Sequence, residues 1–136
     1  MTDTTTKQKK ILLVDDDTFL LSLYANKFSA EKAVTVEAVD SVDAALTKLR
    51  EGSEPDIIVF DMVMPHQDGY DLLSTLNSEG LATKAIRIAL TNEMAPEQEE
   101  RVRALGVEGY IIKASNIPSE VVREVLRIAE SAVSPR

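Results

Sequence analysis

The stretch Ile11-Leu12-Leu13-Val14-Asp15-Asp16-Asp17 sets three carboxylates directly after four apolar residues. A second stretch, Ile57-Ile58-Val59-Phe60-Asp61, repeats the pattern with one acid. An apolar run of this length between polar residues indicates a buried strand. Two such strands would bring several carboxylates to one end of a parallel sheet, where they repel one another unless a cation or a proton lies among them. The alternative is that the acids only cap helices, which explains Asp17 more easily than the whole set.

The bulk composition indicates one folded domain. The chain has 136 residues, 44% of them apolar, which suffices for a sizeable core. Its formal net charge of -8 argues against a nucleic-acid-binding surface, and no apolar stretch approaches the roughly 18 residues of a membrane span. Without cysteine there is no disulfide, thiolate metal site or cysteine nucleophile. The N-terminus lacks the apolar core of a secretory signal, so we expect a cytoplasmic protein without nucleic-acid or membrane partners.

Apolar runs alternate with helical patterns along the chain. We predict a flexible tail at 1–9, one domain at 10–133 and a short C-terminal tail at 134–136. Strands that are each followed by a helix predict an α/β fold, a doubly wound, flavodoxin-like, five-stranded parallel sheet with order 2-1-3-4-5 and five helices. The predicted strands are Ile11–Val14, Val34–Val39, Ile57–Phe60, Ala85–Leu90 and Gly109–Ile112.

Breaker residues predict where several helices start and stop. The third helix should end near Gly80. Pro96 suits the first turn of the fourth helix, and Gly106 its C-terminal stop. Pro118 should open the fifth helix.

Polar residues at the strand ends form the candidate site. In the doubly wound order, strands one and three are neighbours, and ligands bind outside their carboxyl ends. Asp15, Asp16 and Asp61 fall there, and Thr91 and Lys113 end strands four and five beside the same mouth. Clustered carboxylates without His or Cys favour a hard divalent cation such as Mg²⁺. A carboxylate can also attack phosphorus, and a metal, an ammonium and a hydroxyl are the groups that phosphoryl transfer needs.

Several polar residues also have plain structural explanations. Thr91 could be a loop threonine, Tyr110 a half-buried strand aromatic, and Lys113 a surface lysine, although Lys113 follows a buried strand. His66, the single histidine, is expected to be solvated and not catalytic. Arg87 is unusual within an apolar strand, and we expect its stem to pack while its charge reaches the sheet edge or base.

Four motifs occur in a fixed order along the chain: Ile11-Leu12-Leu13-Val14-Asp15-Asp16, then Asp61-Met62-Val63-Met64-Pro65 with Asp68-Gly69, then Leu90-Thr91, then Gly109-Tyr110-Ile111-Ile112-Lys113. In this order and spacing they resemble the receiver domains of bacterial two-component response regulators, in particular single-domain, chemotaxis-type members. The resemblance extends from about Lys10 to Ala132. A lone pair of aspartates would be a weak signal, whereas the ordered combination is specific.

The resemblance implies a role for each site residue. Asp61 would be the phosphoacceptor, and Lys113 the cation that binds the phosphoryl group. Thr91 would be the switch hydroxyl, and Tyr110 the switch aromatic that turns inward when Thr91 moves towards the phosphoryl group. The implied cofactor is Mg²⁺, and its implied ligands are the carboxylates of Asp15, Asp16 and Asp61 and the backbone carbonyl of Val63.

Three positions depart from the pattern of the family. Family members usually carry proline after the strand-five lysine, often with a cis bond, whereas this chain has Ala114. A cis bond to a non-proline residue costs about 2.5–4 kcal/mol, so we predict a trans bond and a differently built loop. Asn92 replaces the usual small residue after Thr91, so we expect a narrower approach for the phosphodonor. Val63 replaces a polar residue that can orient the hydrolytic water, so we predict slow loss of the phosphoryl group.

We therefore expect a stand-alone receiver, because only a few residues follow Ala132. A histidine kinase or a phosphotransfer protein would supply the phosphoryl group, and a downstream protein target would read the switched face. The chain would be a phosphoacceptor and not a turnover enzyme. A homodimer is a further option, since some relatives dimerise.

Two alternatives remain open at this point. The first is a metal-dependent aspartyl phosphatase, which typically needs a second acid two residues after its nucleophile. Val63 occupies that place after Asp61, but Asp15 and Asp17 have the required spacing. The second is a receiver-like interaction module that works without phosphorylation, an option that Ala114 and Asn92 keep open while the complete set of acids argues against it.

Overall fold

The computed structural model describes residues 8–133, so most of the predicted tail at 1–9 and all of the tail at 134–136 lie outside that range. Within it, the prediction of a tail up to residue 9 is wrong at Lys9, which pairs with Val34 as the first residue of β1. The five strands and five α-helices alternate along the chain as predicted, with one short 3₁₀ turn after β5. The elements are β1 Lys9–Val14, α1 Thr18–Ser29, β2 Val34–Val39, α2 Val42–Arg50, β3 Ile57–Asp61, α3 Gly69–Glu79, β4 Ile86–Thr91, α4 Pro96–Ala104, β5 Gly109–Ile112 and α5 Pro118–Val133. The first strand begins at Lys9, two residues before the predicted start.

All strand pairings are parallel, and the order is β2-β1-β3-β4-β5. The predicted fold class is therefore confirmed. Successive side chains of a strand point to opposite faces, so each central strand contributes to two cores. In β1, Leu12 and Val14 pack with α2, α3 and α4, whereas Ile11 and Leu13 pack with α1 and α5. Among residues 8–133 no helix is long and apolar enough to span a membrane.

The ends of α3 follow from the residues that occupy them. Asp68 caps the helix and forms a reciprocal capping box with Asp71, which satisfies backbone N–H groups that have no partner inside the helix. Gly80 ends the helix in the left-handed conformation, as the sequence predicted. A Cβ atom on Gly69 would lie 3.0 Å from the backbone Cα atom of Met62 and 2.6 Å from its Sδ atom, so glycine suits the close approach of α3 to the end of β3.

The loop after β5 has no proline after Lys113, and its backbone agrees with the prediction. No cis peptide bond occurs within residues 8–133, so the bond between Lys113 and Ala114 is trans, as predicted. The chain instead makes one 3₁₀ turn over Lys113–Ser115, and the side-chain amide of Asn116 donates to the carbonyl of Ile112 at 2.8 Å. Helix α5 then begins at Pro118, as predicted.

Candidate functional site

The register of the sheet brings the acids together. Val14 lies opposite Phe60 in the β1–β3 pairing, so Asp15 and Asp61 follow at the same level of neighbouring strands. One carboxylate oxygen from each of Asp15, Asp16 and Asp61 lies within 4.8 Å of the other two. Asp15 and Asp61 are buried, whereas Asp16 is exposed. The three predicted metal ligands therefore converge at the carboxyl ends of the two central strands.

Lys113 directly follows β5, the edge strand of the sheet, and its side chain extends into this cluster. Its Nζ atom lies 3.4 Å from Oδ2 of Asp15 and 3.4 Å from Oδ2 of Asp61. Only 8% of the lysine side chain is exposed, so the interpretation as an ordinary surface lysine is wrong. A single ammonium thus neutralises part of the charge of two buried carboxylates, and the remaining negative charge has no protein cation within ion-pair distance among the described residues.

Asp61 keeps one oxygen without a partner. Its Oδ1 atom is buried, and no donor among residues 8–133 forms a hydrogen bond with it. Burial raises the pKa of Asp61 to about 6; the charge of Lys113 opposes the rise, the charge of Asp15 adds to it, and the nearby backbone N–H of Val63 opposes it weakly, without reaching hydrogen-bond geometry with Oδ1. A buried carboxylate oxygen without a donor is costly for the fold, so this position suits a bound cation.

Both carboxylate oxygens of Asp15 have partners, whereas one oxygen of Asp61 has none. The Oδ1 atom of Asp15 accepts the backbone N–H of Asp17 at 2.9 Å, and its Oδ2 atom faces Lys113. Burial nevertheless raises the pKa of Asp15, and these two donors oppose the rise. The side chain of Asp17 caps α1 by accepting the N–H of Leu20 at 3.1 Å. Capping therefore accounts for Asp17, as the alternative interpretation of the acids allowed, but not for the other three.

Thr91 and Tyr110 lie beside one another on the α4 side of the site. Thr91 is buried, and its hydroxyl donates to the carbonyl of Glu93 at 3.3 Å. The hydroxyl of Tyr110 donates to Oε1 of Gln98 at 2.7 Å, and it lies 3.5 Å from the carbonyl of Ala95. Neither hydroxyl has a hydrogen bond to Asp61 among those of the described residues, so both donate away from the carboxylates.

The remaining polar residues that the sequence singled out lie apart from the acids. His66 is exposed, as expected. Arg87 is buried, and its guanidinium donates to Oδ1 of Asn77 at 2.7 Å and to the carbonyl of Leu81 at 3.3 Å. Its charge therefore reaches the base of the sheet, which is one of the two places predicted. Asn92 is exposed in the loop after β4.

Four exposed apolar side chains flank the site, and the sequence did not reveal them. Each lies in a segment that follows one of the strands β1, β3, β4 and β5, and each is 60% to 74% exposed. They are Phe19, Val63, Met94 and Ile117, and we call them the apolar rim. Phe19 and Ile117 belong to the layer of α1 and α5, and Val63 and Met94 precede α3 and α4, so the rim lies on both sides of the acids. All four follow strands at the carboxyl edge of the sheet, which is also the edge that carries the acids.

The residues fit a hard divalent cation. All three carboxylates supply oxygen, two of them are buried, and one of the buried two is Asp61, whose Oδ1 atom lacks a hydrogen-bond donor. Mg²⁺ suits such a set because it prefers oxygen ligands, usually takes one or two carboxylates directly and completes its shell with water. The same position offers a nucleophilic carboxylate oxygen next to an ammonium group, which is an arrangement suited to a phosphoryl group.

Comparison with known proteins gives one consistent family. The family model of the response regulator receiver domain matches residues 11–125. The chain is 36% identical over 105 residues to Regulator of RpoS from Escherichia coli K12, which covers 77% of this chain and 30% of that protein. It is 29% identical over 120 residues to Chemotaxis protein CheY from Halobacterium salinarum, which covers 87% of this chain and 97% of that protein. The chain thus spans under a third of the length of Regulator of RpoS.

A solved structure gives the same fold. The CheY-like response regulator receiver domain protein from Methanospirillum hungatei superposes with a TM-score of 0.80 at 23% identity, and the match covers 92% of this chain and 96% of that one. At this identity the likeness supports the fold alone.

Proposed function

The chain belongs to the family of response regulator receiver domains, and on that basis we propose that it accepts a phosphoryl group on Asp61 in a Mg²⁺-dependent reaction. The observation that carries the proposal is the state of Asp61. It is buried beside Lys113, it lies within the cluster of carboxylates, and its Oδ1 atom lacks a donor. A carboxylate kept in this costly environment is more easily explained by chemistry than by stability.

The proposed step is a transfer to one carboxylate oxygen of Asp61. That oxygen forms a bond to phosphorus while the bond between phosphorus and the imidazole nitrogen of the donor breaks, and the electron pair of the broken bond stays on the imidazole. Lys113 provides a positive charge near the oxygens of the transferred group, because its Nζ atom already lies 3.4 Å from Asp61. Thr91 can donate to the product only after its hydroxyl leaves the carbonyl of Glu93.

We propose that Asp15, Asp16 and Asp61, with the backbone carbonyl of Val63, hold the Mg²⁺ ion. When bound, the ion supplies positive charge against the phosphoryl oxygens and the clustered acids. The unsatisfied oxygen of Asp61 and the all-oxygen donor set support this assignment. Two other groups of the chain support the site. The backbone N–H of Asp17 fixes the carboxylate of Asp15, and the ammonium of Lys113 balances negative charge that the ion leaves uncompensated.

We expect Mg²⁺ to bind in a calorimetric titration, and Asp16→Asn to weaken that binding by at least about tenfold because the substitution removes a ligand charge. Asp17→Asn is the matched control, since it removes the same charge one residue away and asparagine still caps α1. Affinity should also fall as the pH drops from 7 to 5, because a proton then competes for Asp61, whose pKa is about 6. Equal binding by wild type and Asp16→Asn would contradict the assignment.

Val63 should prolong the life of the phosphorylated form. Its side chain is 63% exposed next to the acceptor, and it offers no hydrogen bond to an attacking water. We expect Val63→Gln to accelerate dephosphorylation about three- to tenfold, which is the scale of one hydrogen bond. The decay can be followed by intact mass after removal of the phosphodonor. Met94→Gln is the control, because it places the same side chain at another exposed position of the rim; decay that is equally fast in both variants would refute the prediction.

We propose that the phosphodonor is a protein, either a histidine kinase or a phosphotransfer protein. The apolar rim supports this, because a small donor needs no such surface whereas a docked protein covers it. The downstream target would likewise be a protein. The formal net charge of -8 is unsuited to nucleic acid.

A turnover phosphatase fits the site less well. Such an enzyme needs a free acid two residues after its nucleophile, but the residue after Asp61 at that spacing is Val63. The other pair with that spacing is Asp15 and Asp17, and the carboxylate of Asp17 is occupied as the N-cap of α1. We therefore propose a phosphoacceptor whose product is its own phosphorylated form.

Incubation with acetyl phosphate and Mg²⁺, followed by intact mass, tests the proposed function. We expect one phosphoryl group per chain, and less when a chelator removes the metal. A wild-type chain that gains no phosphoryl mass while it binds Mg²⁺ would contradict the proposal, and it would favour an interaction module that works without phosphorylation.

A further inference from the structure

The carboxyl edge of the sheet is almost without positive charge. It consists of the segments that join each strand to the next helix, together with the first turns of those helices, at residues 15–21, 40–45, 62–72, 92–99 and 113–121. Each of these segments carries at least one acid, whereas Lys113 is their only lysine or arginine. The ammonium of Lys113 already pairs with Asp15 and Asp61. A group that approaches these segments therefore meets negative charge and no unpaired cation.

Three exposed acids of this edge are unpaired. Asp40 directly precedes the N-cap of α2, Glu93 lies two residues before the N-cap of α4, and Glu97 lies in the first turn of α4. Among residues 8–133 their side chains have no hydrogen-bond or ion-pair partner. The dipole of α4 stabilises Glu97, but this effect fades outside the first turn and does not explain Asp40 or Glu93. We call these three residues the outer acids.

The outer acids lie on both sides of the acceptor. The last residues of β1 and β2 are paired, so Asp40 follows at the level of Asp15. The carbonyl of Glu93 accepts the hydroxyl of Thr91 at 3.3 Å, which holds Glu93 next to the end of β4. In the sheet, β2 and β4 lie on opposite sides of β3, the strand that ends in Asp61. A donor centred on Asp61 therefore approaches acids from two directions.

The outer acids keep their charge when the proposed metal site is filled. The two charges of Mg²⁺ and the one of Lys113 equal the charge of Asp15, Asp16 and Asp61, so the inner site is then balanced. The outer acids have no such counterion. Their field extends over about 8 Å at physiological ionic strength. Because a phosphoryl group is itself an anion, its carrier is repelled unless it brings positive charge of its own.

We propose that the carboxyl edge selects a phosphodonor protein whose phosphohistidine is surrounded by lysine or arginine side chains. This inference rests on the proposed function of Asp61 and adds the surface chemistry of the donor. The apolar rim lies in the same segments as the acids, so the surface also suits apolar groups, which a protein offers and a simple polycation does not. Complementary charge speeds encounter and disfavours acidic partners, and salt weakens both effects.

Two phosphohistidine peptides of equal length test the proposal. The histidine is flanked by four lysines in one peptide and by four glutamates in the other. Each peptide is added to the full chain in saturating Mg²⁺, at concentrations far below saturation, so that the labelling rate reports encounter and transfer together. Intact mass follows the labelling at low salt and again at about 0.5 M salt, where charges are screened within a few ångströms.

Two triple variants separate the outer acids from the net charge of the chain. The outer-acid variant replaces each outer acid by its amide: Asp40→Asn, Glu93→Gln and Glu97→Gln. The control variant removes the same charge from three exposed acids in the connections that precede β2 and β3, at the opposite edge of the sheet. Its substitutions are Glu31→Gln, Glu51→Gln and Glu54→Gln.

We expect the lysine peptide to label the wild type at least about tenfold faster than the glutamate peptide at low salt, and less than about threefold faster at high salt. The outer-acid variant should lower the low-salt ratio by about threefold or more, and the control variant should keep it. A ratio near one in the wild type, a ratio that salt does not reduce, or an equal ratio in the two variants would overturn the proposal.

Acetyl phosphate separates failure of this inference from failure of the proposed function. If acetyl phosphate labels the wild type while the peptide ratio is near one, the acceptor role of Asp61 stands and selection by charge is overturned. If no donor labels the wild type, the acceptor role is contradicted. Binding of the two unphosphorylated peptides, measured by chemical-shift titration, then decides the inference alone, and equal affinity for both peptides would overturn it.

Discussion

Asp61→Asn should gain no phosphoryl group from acetyl phosphate and Mg²⁺ under conditions in which the wild type is modified. The amide is a poor nucleophile and carries no charge, so the expected effect is complete loss of labelling and not a slower rate. Intact mass after a fixed incubation measures it. Asp68→Asn is the matched control, because it makes the same change in the loop that follows β3 and asparagine still caps α3. A mass increase in Asp61→Asn equal to that of the wild type would contradict the assignment.

The variant also separates loss of chemistry from loss of fold. Asp61 lies buried next to Asp15, and burial together with that neighbour raises its pKa. Replacing it with a neutral amide removes this repulsion, while Lys113 keeps Asp15 as a partner. We therefore expect the denaturant midpoint of Asp61→Asn, measured without Mg²⁺, to equal or exceed that of the wild type. A loss of labelling in a variant of this stability identifies the acceptor directly.

The fold could be predicted because its signals are local. Apolar runs such as 11–14 and 57–60 are long enough for one strand and too short for a helix, and the helical segments between them carry caps and breakers of their own. Parallel connection then follows from the alternation of strands and helices. The register in which Val14 faces Phe60 converts two sequence motifs into one cluster of acids. That cluster could be anticipated because strand ends, unlike side-chain contacts, are fixed by topology.

The contacts around α4 could not be predicted for the opposite reason. The bond between Gln98 and Tyr110 joins two residues whose types are common on any polar helix and any strand. Asn77 receives a hydrogen bond from Arg87 and donates one to Leu105, and no local pattern indicates such a bridge between three elements. The apolar rim was missed because the exposure of its residues depends on the course of the four chain segments that follow β1, β3, β4 and β5. Single exposed apolar residues are normal on a protein surface, so these four indicate a function only because they share one edge of the sheet.

Loss of Lys113 should strongly lower the stability of the protein, even before any phosphodonor is added. Its ammonium faces Asp15 and Asp61, all three side chains are buried, and removal of one partner from a buried ion pair typically costs about 3–5 kcal/mol. We expect Lys113→Met to lower the free energy of unfolding by that order at pH 8 without Mg²⁺. Urea denaturation measures the change, and Lys84→Met, which removes an exposed lysine, should have little effect.

The pH dependence of this loss has a defined sign. The folded-state pKa values of Asp15 and Asp61 already lie above the ordinary value of a carboxyl group because of burial, and Lys113 limits both increases. Without the lysine both pKa values rise further, so the folded state binds protons more tightly than the unfolded state does. The free energy of unfolding of Lys113→Met should therefore increase as the pH falls from 8 to 5, more steeply than that of the wild type. A variant as stable as the wild type at both pH values would show that the ammonium does not neutralise these acids.

Mg²⁺ should offset part of the same loss at pH 8. The ion binds the acids that the lysine otherwise balances, and a ligand that binds only the folded state stabilises it by mass action. The gain in unfolding free energy on adding saturating Mg²⁺ should thus be larger in Lys113→Met than in the wild type, because the variant presents more uncompensated charge. Asp16→Asn combined with Lys113→Met should lose most of this gain. Stabilisation by the metal that is equal in wild type and Lys113→Met would mean that the lysine and the cation act on different groups.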